Sequence, residues 1–142
     1  MKKLINRNID LYTEHPKTKG ELRKIIRNRL KEDKNADLND IDVSEIDDMS
    51  YLFDELDPHD IDISEWNVSN VKNMLSMFFE CSNFNSDLSK WDVSNVKDMN
   101  SMFWRCNNFN SDLSKWNISN VKDMDYMFYR CCSLKNIPNW YK

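Results

Sequence analysis

Apolar and polar positions follow a fixed order that returns every 25 residues along most of this chain. In Asp87–Phe103, DLSKWDVSNVKDMNSMF, the apolar set is Leu88, Trp91, Val93, Val96, Met99, Met102 and Phe103, followed by Cys106 and Phe109. The same order recurs in Asp62–Phe78 (DISEWNVSNVKNMLSMF), in Asp112–Phe128 (DLSKWNISNVKDMDYMF) and more weakly in Asp37–Phe53 (DLNDIDVSEIDDMSYLF). The four copies follow one another without an insertion. A period of this size marks a solenoid, in which each repeat buries its apolar face against its neighbours.

Within a repeat, Leu88, Trp91 and Val93 stand at i, i+3 and i+5, which predicts a short inward-facing strand. Ser94 or Asn95 is placed to cap a helix, and Val96, Met99, Phe103 and Cys106 then run at helical spacing over 96–105. The segment 106–111 returns the chain, with Phe109 tucked beneath it. Parallel strands pair about 4.8 Å apart while helices need about 8–10 Å, so such a coil curves with its sheet on the concave side. The ladders Trp66/Trp91/Trp116, Met74/Met99/Met124 and Phe78/Phe103/Phe128 are expected to be buried. The last coil is cut short: Leu134–Trp140 matches Phe109–Trp116 with one residue missing, and Pro138 suits an edge strand.

Ahead of the repeats, Thr18 and Glu21 have the spacing of a capping box, just behind Pro16. Leu22, Ile25, Ile26 and Leu30 follow with helical period, predicting an amphipathic helix over 19–32. Arg29 falls inside its apolar stripe and must reach outward. The chain therefore divides into 1–36, a short strand or extended lead-in (1–16) with a capping helix, and 37–142, four repeats with a truncated C-terminal coil. The helix is expected to cover the apolar edge that an open array exposes.

One Gly and three Pro argue against a linker-rich or disordered chain, and 40% apolar content supports a real core. No apolar run reaches the roughly 18 residues of a membrane span. The start, MKKLINRNIDLYTEH, lacks an apolar stretch of signal-peptide length because Asn6, Arg7, Asn8 and Asp10 interrupt it. The expectation is a cytoplasmic chain, or one at the cell surface if a leader has been removed. Charge changes the picture more. The formal net charge of −4 conceals a balance of +6 over 1–36 and −10 over 37–142, with twelve acids and no Lys or Arg in 37–65. Two accounts fit: a basic cap paired with an acidic first coil, or an acidic decoy that mimics a nucleic-acid backbone, such as a phage- or host-defence inhibitor. The basic cap and the Lys72/Lys97/Lys122 column interrupt a continuous mimic.

Candidate chemistry is sparse. Cys81, Cys106 and Cys131 are one period apart in core phase, which makes them a buried thiol ladder; Cys132 is the candidate for an exposed thiol. Paired metal-ligand spacing is missing, a single Gly (Gly20) cannot build a phosphate loop, and neither His15 nor His59 recurs, so no metal, cofactor or catalytic residue is expected. More informative is the column Asp54, Phe79, Trp104, Tyr129, which a helical wheel places outside the apolar arc. Leu75 and Tyr126 widen it, and Arg105 and Arg130 follow two of its rings. Exposed aromatics with Arg form contact hot spots, so Leu75, Phe79, Trp104, Arg105, Tyr126, Tyr129 and Arg130 are the first candidate partner-binding set. A second candidate surface joins the column Asp40, Glu65, Lys90, Lys115 with its neighbours Asp42 and Asp92 on the concave side.

The motif F-N-x-D-[LI]-S-x-W-[DN]-[VI]-S-N-V-x-x-M-x-x-M-F-x-x-C, with the lead-in HPKTKGELRKIIRNRL, resembles the BspA-like leucine-rich-repeat surface proteins of bacteria over residues 15–142. The resemblance implies an α/β fold: a short curved leucine-rich-repeat-like solenoid, parallel strands on the concave side, short helices outside and an N-terminal capping helix. It also implies adhesion or coaggregation at a cell surface, with no catalytic residues. The functional expectation is a non-enzymatic protein-binding module, with the acidic decoy as alternative. Its partner is expected to be another protein or, through the outward aromatics, a second copy, rather than a membrane or a nucleic acid.

Overall fold

The computed structural model describes residues 11–142, so the first part of the lead-in, 1–10, lies outside the described residues. Its one regular element is α1, Lys19–Glu32, with the bounds the apolar period predicts. Thr18 stands just before it in extended conformation, and its Oγ1 accepts the Glu21 N–H at 3.2 Å. This is the first half of a capping box, satisfying one of the donors that a helix start leaves unpaired. Leu22, Ile26 and Leu30 are buried against the first repeat. Of the lead-in, Glu14 forms a parallel bridge with Ile41.

From residue 37 onward the expected architecture is overturned. The described residues hold no sheet, and no helix in any repeat; strand pairing is limited to five isolated parallel bridges. The chain is not a leucine-rich-repeat solenoid of strands and helices but a stack of 25-residue repeats built almost wholly from turns. The supposed strand folds back on itself: Trp91 N–H donates to Leu88 O at 3.1 Å and Val96 N–H to Val93 O at 3.0 Å. The carboxylates of Asp87 and Asp92 each accept the N–H two residues on, from Ser89 and Ser94. These Asx turns are a local alternative to strand pairing, and the D-x-S spelling carries their signal. An i, i+3 apolar spacing repeated twice is here two turn closures, not an extended strand.

The supposed helix over 96–105 fails for a different reason. Ser101 and Arg105 have φ of 55° and 59°, the left-handed region that a right-handed helix excludes. Their N–H groups point out of the repeat, as do those of Met99 and Phe103. All four donate to the following repeat, at Asp125, Tyr129, Asp123 and Met127 carbonyls respectively, 2.7–3.0 Å away. The residues between them, Met102, Trp104 and Cys106, turn back to carbonyls three residues earlier. Odd and even positions thus use their hydrogen bonds in different directions, which no helix does.

What the period predicts about packing does hold. Trp66, Trp91, Trp116 and Trp140 stack at 6.4–6.5 Å, nearly parallel. Each indole Nε1–H donates to a carbonyl of the repeat before it (Leu38, Ile63, Leu88, Leu113) at 2.9 Å. Phe53, Phe78, Phe103 and Phe128 stack beside them at 5.1–5.8 Å. Met74 and Met99 are fully buried, and Met124, in the last repeat, is half-buried. Asn95, one of the two residues read as a helix cap, instead sends its amide to Ser69 O in the preceding repeat at 2.7 Å.

Phe103 lies between Phe78, Phe109 and Phe128 with no exposed surface. Phe103→Ala should therefore cost about 3–5 kcal/mol, read as a shift of one cooperative denaturant transition, because the flanking repeats lose their packing surface together. A loss below about 1 kcal/mol would break the assignment of this column.

Candidate protein-contact surface

Phe79, Trp104 and Tyr129 each directly follow a buried Phe and close a turn onto Ser76, Ser101 and Tyr126. A left-handed residue stands at both ends of that turn: Ser76 and Glu80, Ser101 and Arg105, Tyr126 and Arg130. With the Phe side chain committed to the core, the next ring falls outside it. The 25-residue register then brings the three rings into one stack, with centroids 4.6 Å apart for Phe79–Trp104 and 5.3 Å for Trp104–Tyr129. Phe79 and Trp104 are half-buried, while Tyr129 is 40% exposed at the end of the column.

Guanidinium groups cover two of these rings. Arg105 lies 4.7 Å over the Trp104 centroid and Arg130 5.4 Å over that of Tyr129. Arg130 Nε also donates to the Tyr129 hydroxyl at 3.2 Å, which holds that phenol below its ordinary pKa. Tyr126 sets its edge against Tyr129 at 6.4 Å and is 63% exposed. Leu75 is half-buried at a ladder position, its carbonyl accepting the Tyr51 N–H at 3.0 Å. Two exposed apolar residues escaped the sequence reading: Tyr51, which shares the repeat position of Tyr126, and Ile137 in the truncated coil. Tyr51 was there to be found, since the period alone places it. With Asp125, Phe128 and Tyr141, the residues Tyr126, Tyr129 and Ile137 line an open groove of about 540 Å³ at the C-terminal end.

The second candidate surface changes character. There is no sheet and hence no concave sheet face for it to occupy. Asp40 is taken: Arg29 donates to both its oxygens, at 2.8 and 3.1 Å, and Thr13 Oγ1 donates as well. Asp42 and Asp92 serve as Asx-turn acceptors for Ser44 and Ser94. Glu65, Lys90 and Lys115 are exposed at equivalent positions of successive repeats, as the register requires.

Part of the charge split is paired inside the chain. Besides Arg29–Asp40, Lys19 reaches Asp48 at 3.4 Å and the Ser50 hydroxyl at 2.9 Å, and Lys17 pairs with Glu45. Burial pushes the Asp40 carboxyl up, but Arg29 and Thr13 outweigh it and hold the group below its ordinary value. Asp48 behaves alike, with Ser50 and Lys19 as its stabilising partners. The thiols go the other way. Burial raises Cys81 and Cys106 and pushes Cys131 up to about 12, and each Sγ–H donates to a carbonyl of the preceding repeat (Phe53, Phe78, Phe103). They are packing groups, not nucleophiles; Cys132 alone is exposed.

A depressed carboxyl stabilises the folded chain above the ordinary carboxylate range and loses that contribution as pH falls through its folded value. Stability should thus be flat near neutrality and fall in acid below about pH 4. Asp40→Asn should cost about 1–3 kcal/mol at pH 7 and leave a shallower acid limb, read by urea melts at both ends of the range. An unchanged acid limb would remove the pair from the account.

Over residues 21–140 the chain matches the family model described as "Mycoplasma protein of unknown function, DUF285". Of the BspA-like resemblance, this match carries a repeat-type family and not the leucine-rich-repeat class. No curated protein and no solved structure matches the chain.

Proposed function

The chain belongs to the DUF285 family, and on that premise we propose that it is a non-enzymatic module that binds other proteins through its outward aromatic column. The observation that carries this reading is the ring stack Phe79–Trp104–Tyr129 with Arg105 and Arg130 laid over it, flanked by the 63% exposed Tyr126. Aromatic and guanidinium groups held rigid by their neighbours offer contact area at low entropic cost, the composition found in binding hot spots. Adhesion at a cell surface is the finer form of the same reading. The acidic-decoy alternative rests on the run 37–65, and several of its carboxylates, including Asp40, Asp48 and Glu45, are already engaged by the cap.

Stacking gives these rings a structural share too, so Trp104 is a poor residue to change. Tyr126 and Tyr129 are the exposed pair. Tyr126→Ser with Tyr129→Ser should leave the melting temperature within a few degrees, since little burial is lost. It should abolish capture of a protein partner from nuclease-treated lysate by the immobilised chain. Retained capture would move the binding surface elsewhere. Capture that disappears on nuclease treatment would favour the decoy.

A further inference from the structure

The main-chain ladder on the turn side of the stack has a direction. Met74, Ser76, Phe78 and Glu80 donate their N–H groups to Asp98, Asn100, Met102 and Trp104 of the next repeat, at 2.7–2.9 Å. Met99, Ser101, Phe103 and Arg105 do the same one repeat later. At the N-terminal end this leaves carbonyls over, and α1 meets two of them: the Arg23 guanidinium donates to the Leu52 and Asp54 carbonyls at 2.9 and 2.7 Å. At the C-terminal end it leaves donors over. The N–H groups of Met124, Tyr126 and Arg130 have no hydrogen-bond partner among the described residues. Tyr126 and Arg130 nevertheless keep φ of 59° and 58°, the geometry that elsewhere aims an N–H at the next repeat. Trp140 and Tyr141 cover Phe128, but beside them the groove of Tyr126, Tyr129 and Ile137 stays open.

We propose that this edge docks a turn-forming segment of another protein, which adds to the stack as a partial fifth repeat. The occupant must offer backbone carbonyls at alternate residues and an aromatic or long apolar side chain to continue the Phe79–Trp104–Tyr129 column. This is the junction already made between the internal repeats, continued by one step. A second copy does not supply it. Its N-terminal edge is closed by α1 and Arg23, and its own C-terminal turn strip, met about a two-fold axis, sets donors against donors. The inference rests on reading the chain as a protein-binding module.

The test uses the full chain, isotopically labelled, and amide exchange by nuclear magnetic resonance. In the free protein Tyr126 and Arg130 should exchange faster than Ser76, Ser101, Glu80 and Arg105, by on the order of a hundredfold or more. A synthetic peptide of residues 98–109 with Cys106→Ser, added at millimolar concentration, should shift amides within 124–130 and slow the exchange of Tyr126 and Arg130. No shift, or equal shifts from a scrambled peptide, would overturn the proposal. So would a dimer on a sizing column that protects the same two amides, because a second copy would then be the occupant. A partner captured through Tyr126 and Tyr129 that leaves both amides in fast exchange would sink edge addition and spare the module reading. Failure to capture any protein, beside a peptide that does protect them, would do the reverse.

Discussion

Every 25-residue repeat is tied to the next by hydrogen bonds that recur at fixed positions, and the remaining structure accommodates that requirement. On the turn side, main-chain N–H groups run forward, as from Ser76 to Asn100 and from Arg105 to Tyr129. Elsewhere donors run backward: Lys97 N–H to Lys72 O, the Trp91 indole to Ile63 O, the Cys106 thiol to Phe78 O, the Asn95 amide to Ser69 O. Backbone groups that lack regular secondary structure would be costly to bury. The crossing bonds remove that cost, and they let a chain whose described residues hold one α-helix enclose a core that runs from Leu22 to Phe128.

The geometry has its own cost. Nine non-glycine residues among those described sit in the left-handed region, eight of them at two recurring repeat positions and the ninth at Asp57. Each costs roughly 1–2 kcal/mol, whereas a main-chain hydrogen bond returns a net of about 0.5–1.5 kcal/mol. The ladder therefore roughly offsets its own strain and fixes register rather than supplying stability. Stability comes from the columns it aligns, above all Trp66–Trp91–Trp116 and Phe53–Phe78–Phe103, whose burial is worth several times more per ring.

This division explains what could be read from the sequence. Whatever follows from the period alone survives: the Trp and Phe columns, the thiol ladder, the alignment of Phe79, Trp104 and Tyr129. Helix α1 was legible as well, because Thr18, Glu21 and four apolar residues state a local rule that tertiary contacts do not override. What failed was inference within one repeat. Val96, Met99 and Phe103 have helical spacing, but nothing in single-residue propensity announces that Ser101 and Arg105 will be left-handed without being glycine. Their conformation is set by carbonyls 24 residues away, at Asp125 and Tyr129. The helical-wheel reason for placing Trp104 outside the core falls with the helix; the placement stands, because Phe103 already fills the inward position and the next side chain has to leave it.

A stack with directional bonds has two unlike ends, and the charge split follows from that difference. The start exposes carbonyls, which call for donors, and residues 17–34 bring Lys19, Arg23, Arg29 and Lys34 to carbonyls or acids of the first repeat. Asp40, Glu45 and Asp48 thus pair with the basic lead-in, and the Arg23 guanidinium on α1 substitutes in part for the N–H row of a preceding repeat. No element of the described residues does the complementary work at the other end. Trp140 completes the indole column with a bond to Leu113 O, and Tyr141 lies across Phe128, so the core is covered. The turn strip from Met124 to Arg130 is not, and it carries the most exposed ring of the aromatic column, Tyr129, at the same edge. Burial falls accordingly from Val96, Met99 and Cys106 to the half-buried Val121, Met124 and Cys131 at equivalent positions. The surface best suited to contact lies where the repeat interaction has the least to act on.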